Sequence, residues 1–191
     1  MNNRSRKKVS VMVDLMSLEE QVDREFAAAR RRARMRRLRG LLRGRGEPGT
    51  LLSFEATRRS VGASGGVRRG RSTVEASRVV GSVGKHDRFD EGFMPLSGAS
   101  SERWKRIDRA FRSGQELPPV TLYRLGEDYF VQDGHHRVSV YRFHGVEWLD
   151  AEVTEFRVPI TAVGCVGRRT PSGRSVTQAL RRPRPRRLGC G

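Results

Sequence analysis

The chain has 191 residues, 36% of them apolar and 31% charged, and its 39 Lys and Arg against 21 Asp and Glu give a net charge of +18. No apolar stretch is long enough for a transmembrane helix, and the basic N-terminus leads into no long apolar segment, which argues against a secretory signal. The two cysteines, Cys165 and Cys190, form no CxxC pair, so the sequence argues against a disulfide scaffold and a cysteine zinc site and predicts a cytoplasmic protein.

The positive charge is concentrated at the two ends of the chain. Residues 1–71 carry a net charge of +12, residues 72–157 of −2 and residues 158–191 of +8. Every Tyr and Trp lies in 72–157, so this is where we expect a hydrophobic core. The sequence therefore predicts a basic N-terminal region, a central domain and a basic tail. A charge excess of this size indicates a polyanionic partner.

The N-terminal region is predicted to contain one amphipathic helix over residues 18–39. Ser17 and Glu20 form a capping box at its start, and Gly40 is suited to end it. Apolar residues recur along it at spacings of three and four: Leu15, Leu18, Val22, Phe26, Ala29 and Ala33.

The arginines at the end of this helix allow three interpretations. Arg30, Arg31, Arg34 and Arg37 are suited to contact nucleic acid, and an anionic membrane would attract the same face. Alternatively, the apolar stripe packs on the central domain and the arginines are only solvated. Our hypothesis takes DNA, bound without sequence specificity, as the partner and assigns no membrane. A cytoplasmic protein of this kind would associate with the nucleoid.

The segments on either side of the central domain lack the periodicity of folded elements. Residues 44–71 are rich in Gly, Ser and Arg and are interpreted as a linker with one short helix. The tail over 158–191 includes an Arg/Pro run at 181–187 and is predicted to be disordered. It either binds phosphates non-specifically or binds nothing specific.

The central domain reads as a small α+β domain of short, well-punctuated elements. These are a strand at 73–80 with a turn at 81–84, a helix from Ser100 or Ser101 to Gly114, a hairpin of 120–125 and 129–131, a helix at 135–144 ended by Gly145, and a strand at 148–156.

The chemistry is concentrated in the turn Asp133-Gly134-His135-His136-Arg137. A strand ends here, a glycine turns the chain and a helix begins, so free backbone N–H groups and the positive end of a helix dipole face one spot. Gly134 lets an anion approach the backbone, and Arg137 is suited to hold phosphate oxygens bidentately. The sequence predicts a phosphate or nucleotide site. Two alternatives stay open: a metal held by Asp133, His135 and His136, or a structural turn in which Asp133 caps the helix and one histidine packs.

This stretch resembles the ParB/sulfiredoxin superfamily over roughly residues 72–156. ParB proteins have a phosphate-binding box of the G-x-R-R type. Gly134 and Arg137 match its first glycine and its last arginine, and two histidines stand between them. Val80 and Arg88 keep the eight-residue spacing of the first ParB box, and Ser82 lies in the loop between them. The usual prolines of that box are missing, and an Arg/Pro-rich stretch follows the central segment where ParB proteins continue into a helix-turn-helix domain.

The resemblance implies binding of a nucleoside triphosphate, CTP or ATP, with Mg²⁺. Gly134, His135, His136, Arg137, Arg88 and Ser82 would bind the nucleotide, and Asp133 would reach Mg²⁺. His135 stands where sulfiredoxins carry their catalytic cysteine, so sulfinic-acid reduction is excluded.

Three functions remain open at this stage. The first is a ParB-like nucleotide-binding protein with non-specific DNA affinity and a chromosome-partitioning-like or regulatory role, in which a homodimer is one option. The second is a small-molecule kinase, because the Asp-Gly-His-His-Arg form also resembles free-serine kinases of the superfamily. Its candidate catalytic carboxylates are Asp133 and Glu91, with Asp90 and Glu75 as further candidates by type. The third is an inert interaction module with a degenerate pocket. Whether the protein is an enzyme is therefore undecided.

Overall fold

The computed structural model describes residues 3–42 and 49–159. Four α-helices and six strands form in these residues. In chain order they are α1 (Asn3–Leu42), β1 (Leu52–Ser53), α2 (Phe54–Ser60), β2 (Ser64–Glu75), β3 (Val79–Ser82), α3 (Ser101–Arg112), β4 (Val120–Leu125), β5 (Asp128–Asp133), α4 (His135–Phe143) and β6 (Trp148–Arg157). None of these helices has the length and apolar composition needed to span a membrane.

The strands form one mixed sheet in the order β1-β3-β5-β4-β6-β2. The hairpin of β4 and β5 lies at its centre, and β6 runs parallel to β4. β3 pairs in parallel with β5, and β2 pairs antiparallel with β6 along its length. The structure is therefore a mixed α/β domain, which is compatible with the predicted α+β class.

The two faces of the sheet are covered by different helices. Val131 and Phe130, which are neighbours on β5, belong to different core clusters, as expected when successive side chains point to opposite faces. Val138 of α4 packs in the cluster of Val131. Phe54 of α2 packs with Phe130 on the other side, with their ring centroids 5.6 Å apart.

A separate core cluster joins α1 to α3 and α4. Phe26, Ala29 and Ala33 of α1 are buried against Trp104 and Val140. The Trp104 indole donates a hydrogen bond of 2.9 Å to Ser139 Oγ, which fixes α3 on α4. The apolar stripe of the first helix therefore packs on the central domain, as the alternative to a partner-binding helix required.

The first helix is longer than predicted. It runs from Asn3 to Leu42, so the bounds of 18–39 are wrong, and Gly40 lies inside the helix rather than after it. Residues 3–39 contain neither Gly nor Pro, so nothing in the sequence interrupts the helix before the capping box. Glu20 forms an ion pair with Arg24 at 3.1 Å, an ordinary contact within a helix.

The short helix predicted within residues 44–71 is confirmed as α2, but the linker around it is wrong for most of its length. β1, α2 and the first part of β2 lie in it, and a domain boundary at residue 72 would cut through β2. β2 is an edge strand whose side chains from Ser64 to Thr73 are exposed, so it shows no alternation of apolar and polar residues.

The predicted strand at 73–80 and turn at 81–84 are also corrected. β2 ends at Glu75, and a short 3-10 helix follows it. β3 then includes Gly81 and Ser82, which are the first two of the four residues expected in the turn. Gly81 is required here for close packing, since a Cβ would overlap the Phe130 ring and the Leu52 carbonyl oxygen.

The remaining elements of the central domain are confirmed. The helix after Ser100, the hairpin, the helix after Gly134 and the final strand lie within a few residues of the predicted bounds. The predicted tail, from residue 160 onwards, lies outside the described residues.

Candidate functional site

The turn between β5 and α4 is built around Gly134, which occupies the N-cap position with φ of +95°. A Cβ at this position would lie 2.8 Å from Val120 Cγ1 and 3.0 Å from Arg137 Nη2, so the site demands glycine for space as well as conformation. The first helical hydrogen bond runs from Val138 N to Gly134 O at 2.9 Å. The backbone N–H groups of residues 135–137 precede that bond and mark the positive end of α4.

The start of α4 opens into a cleft of about 600 Å³ between α4 and α3, called here the α3–α4 cleft. Leu18 of α1 and Pro118, just before β4, also line it. Basic side chains dominate its charge. They are Lys85, Arg103, Arg106, Arg109 and Arg137, against Asp133 as the acidic lining residue.

His135 lies at the base of the cleft in a defined hydrogen-bonding state. Its Nε2 atom is 2.7 Å from Ser82 Oγ, which also accepts a hydrogen bond of 3.2 Å from Lys85 N. Burial, followed by the charge of Lys85, lowers the pKa of His135 to about 4. The imidazole is therefore neutral at neutral pH, and its Nε2 atom shares a hydrogen bond with the Ser82 hydroxyl.

His136 forms the neighbouring wall of the cleft. Its ring meets the edge of Phe89 at a centroid distance of 5.3 Å, and its Nδ1 atom is buried without a hydrogen-bond partner in the described residues. Burial, followed by the charge of Arg103, lowers the pKa of His136 to about 4. A buried imidazole nitrogen with no partner is a polar group that a bound ligand or water would satisfy.

Arg137 has a structural position, unlike the exposed phosphate ligand that the sequence suggests. Its guanidinium donates to the carbonyl oxygens of Pro118 and Pro119, the latter at 2.7 Å, and to Asp133 Oδ2 at 2.7 Å. The side chain is only 11% exposed. Arg137 therefore holds the start of α4 against the segment before β4.

Asp133 does not cap α4, so that part of the structural alternative is wrong, whereas His135 is a buried, packed side chain as the same alternative expected. The N-cap residue is Gly134, and no side-chain hydrogen bond caps the helix. The Asp133 carboxylate, 71% exposed, pairs with Arg137 at the mouth of the cleft. It remains the lining carboxylate that could reach Mg²⁺.

The other predicted site residues are brought to the turn only in part. Ser82 is completely buried beneath His135, so it supports the imidazole and does not face the cleft. Arg88 is exposed, and its charge contributes to lowering the pKa of both histidines, which places it near them without lining the cleft.

The candidate carboxylates other than Asp133 lie elsewhere. Glu91 faces Gly49, and its N–H donates to Gly49 O at 2.8 Å. Asp90 is buried, accepts from Arg36 at 2.8 Å and holds its own loop through Gly92 N and Met94 N. Glu75 lines a different groove.

Sequence reasoning missed the arginines of α3. Arg103, Arg106 and Arg109 recur every three residues on α3, a spacing that places them on one side of the helix. That spacing could have predicted a basic stripe. Its direction, towards α4, depends on how the two helices pack.

The arginines of α1 separate into an inner and an outer set. Arg32 donates to Phe143 O at 3.1 Å, and Arg36 pairs with Asp90. Arg31, Arg34 and Arg37 are exposed, and the described residues offer them no hydrogen bond or ion pair. Arg30, the fourth predicted nucleic-acid ligand, is half-buried.

Three potential metal ligands meet away from the cleft, where α1, α3 and α4 converge. Glu25, Asp108 and His144 offer ligand atoms within 4.8 Å of one another. The Arg112 guanidinium already bonds both carboxylates, and His144 Nε2 lies 2.6 Å from Asp108 Oδ1. Burial raises the pKa of Asp108. Because the Arg112 guanidinium already lies where a metal ion would have to bind, we interpret this cluster as a charge network between the helices.

Comparison with known proteins gives no match: no family model, no curated protein and no solved structure is similar to this chain. The resemblance to the ParB/sulfiredoxin superfamily therefore depends on the sequence motifs alone.

Proposed function

We propose that the protein binds a nucleoside triphosphate in the α3–α4 cleft and associates with DNA, without sequence specificity, through the exposed arginines of α1. The observation that carries the nucleotide part is the cleft itself. It combines the free N-terminus of α4 with five basic side chains and one acidic side chain in a volume of about 600 Å³. Sites for small ligands have volumes of about 300–1,000 Å³.

Each part of the cleft has a distinct role in this proposal. The N–H groups at the start of α4 bind phosphate oxygens, as helix N-termini do. Arg103 and Arg106 are exposed and supply the positive charge, while the two neutral histidines supply hydrogen bonds. His136 Nδ1 has no partner in the described residues and would take one from the ligand. Arg137 contributes its backbone N–H and keeps its side chain on the two proline carbonyls.

Mg²⁺ would accompany the phosphates and be held at Asp133. Magnesium commonly binds one or two carboxylates, water and substrate phosphates, and Asp133 is an exposed carboxylate at the mouth of the cleft. The ion would neutralise part of the phosphate charge. To bind the ion, the Asp133 carboxylate would have to divide its oxygens between Mg²⁺ and Arg137, its present partner.

Nucleotide binding is favoured over phosphoryl transfer by the positions of the carboxylates. A kinase needs a carboxylate that positions or deprotonates the acceptor hydroxyl. Asp133, the candidate that lines the cleft, is assigned to Mg²⁺ in this proposal, whereas Asp90 and Glu91 lie against other segments, so none of these three carboxylates is left for an acceptor hydroxyl. We therefore propose a ParB-like binding protein with a chromosome-partitioning-like or regulatory role.

Calorimetric titration of CTP and ATP with Mg²⁺ into the full chain tests this proposal. The double variant Arg103→Ala/Arg106→Ala should lose affinity by about tenfold or more, because charge-assisted hydrogen bonds to phosphate are removed. Both side chains are exposed, so the fold should be kept.

The matched control is Arg68→Ala/Arg71→Ala, which removes the same charge from exposed positions on β2. It should keep the affinity of the unmodified protein. The absence of saturable binding at millimolar nucleotide, or an equal loss in both double variants, would contradict the proposal. A preference for CTP would support a ParB-like switch, whereas ATP turnover stimulated by a small hydroxyl compound would favour the kinase.

A further inference from the structure

The most informative contact at the edge of the α3–α4 cleft joins α1 to α3. Arg109 lines the cleft, and its Nε atom lies 2.7 Å from Glu19 Oε1 of α1. The N–H is not directed at that oxygen, and Nε is buried without a hydrogen bond in the described residues. The Glu19 carboxylate therefore lies where an anion would bind Arg109, yet it leaves the buried Nε–H of Arg109 without a hydrogen bond.

Two other ion pairs between α1 and α3 lie outside the cleft. Asp23 Oδ1 is 2.8 Å from Lys105 Nζ, and Glu25 pairs with Arg112. Neither Lys105 nor Arg112 lines the cleft. Of these three acidic residues of α1, Glu19 is the one whose partner faces the proposed ligand.

The docking of α1 does not depend on Glu19. Val22, Phe26 and Ala29 are buried, and the Phe26 ring lies 5.6 Å from the ring of Trp104. Burial of such an apolar stripe contributes far more to helix docking than an ion pair whose carboxylate is more than half exposed. The Glu19 side chain can therefore leave Arg109 while the helix stays in place.

We propose that Glu19 is an autoinhibitory competitor built into α1, which occupies Arg109 in the free protein and is displaced by a ligand phosphate. The inference rests on the proposed phosphate binding in the cleft and adds a residue that lowers its affinity. A phosphate offers several oxygens, so it satisfies the Nε–H and Nη–H groups of Arg109 together, which the carboxylate in its present position does not. Ligand binding must first break the contact between Glu19 and Arg109.

The test compares Glu19→Gln with Asp23→Asn in the full chain. Both variants remove one negative charge from α1 and one ion pair to α3, and only Glu19 contacts a cleft residue. Calorimetric titrations use CTP, ATP and inorganic triphosphate. Glu19→Gln should bind the triphosphates between about threefold and fivefold tighter, the upper part of the range expected for the loss of one competing ion pair. Asp23→Asn should change affinity by no more than about twofold, because its charge acts through screened solvent.

Trp104 fluorescence, recorded in a Trp148→Phe background, checks that α1 stays docked in each variant. An unchanged emission in Glu19→Gln together with tighter binding supports the inference. Equal affinity of Glu19→Gln and the unmodified protein overturns it, as does an equal gain in both variants, which would reflect net charge alone. Weaker binding by Glu19→Gln also overturns it, because Glu19 would then belong to the ligand site. If no form binds triphosphate, the proposed function fails and the inference fails with it.

Discussion

His135 and His136 are neutral side chains in a basic cleft. Burial lowers the pKa of each to about 4, and neighbouring cations act in the same direction. At neutral pH they therefore add hydrogen-bonding groups and no charge. The hydrogen bond between Ser82 and His135 occupies Nε2 of the imidazole and holds the ring in place. The positive potential of the cleft comes from Lys85 and the arginines of α3.

The depressed histidine pKa values predict how stability depends on pH. The unfolded chain binds protons below about pH 6.5, whereas the folded protein resists protonation until about pH 4, so stability is full above pH 6.5 and falls as the pH is lowered. With two such groups, the free energy of unfolding should fall by about 3 kcal/mol between pH 6.5 and about pH 5.

Urea denaturation across this range measures the effect, and His136→Gln supplies the comparison. This variant removes one of the two titrating groups, so its stability should fall by about half as much. A pH dependence identical to that of the unmodified protein would show that His136 is not held neutral in the fold.

At the scale of the element, α4 is positioned from both of its ends. Gly134 allows the chain to turn beside Val120, and Arg137 ties the first turn of the helix to Pro118 and Pro119. Gly145, with φ of +75°, follows the other end. The turn residues of the motif thus fix the direction of the helix dipole, and its positive end faces the cleft.

α1 carries negative charge where it contacts α3 and positive charge towards its C-terminal end. Its acidic residues Glu19, Asp23 and Glu25 meet the cations of α3. Towards the C-terminal end, Arg31 and Arg34 are exposed without partners in the described residues. The helix therefore docks through one region and leaves a basic surface on the other, as a phosphate-binding surface requires.

The basic surface of α1 predicts salt-dependent DNA binding. Replacing Arg31, Arg34 and Arg37 by Ala should weaken binding to duplex DNA of any sequence and lower the slope of log K against log salt by about 3 units, one per lost phosphate contact. Fluorescence anisotropy at several salt concentrations measures both quantities. The triple variant Arg68→Ala/Arg69→Ala/Arg71→Ala removes the same charge from β2 and is the control. Equal effects in both triple variants would assign the affinity to net charge and contradict a specific role of α1.

At the scale of the whole molecule, the cleft is assembled from distant parts of the chain. Leu18, Lys85, the side chains of α3 and the turn at 133–137 border one volume. The turn could be predicted because its residues are adjacent in sequence. The arginines of α3 could not be placed there, since only the packing of α3 against α1 and α4 directs them towards the turn.

The fold could be predicted in its second half and much less in its first. The hairpin, α3, α4 and β6 have strong periodicity and turn residues such as Gly114 and Gly145, and the structure contains them. β2 was missed because an exposed edge strand rich in Gly and Arg has no apolar alternation. The extent of α1 was misjudged because a capping box permits a helix start without requiring one.

The measurement that tests the central claim most directly is a ¹H–¹⁵N NMR titration of the full chain with CTP and with ATP, each with Mg²⁺. The account predicts saturable shifts centred on the backbone amides of His135, His136 and Arg137 and on the Nε–H signals of Arg106 and Arg109. Unchanged amides at the start of α4, or shifts confined to the exposed arginines of α1, would contradict a phosphate site in the α3–α4 cleft.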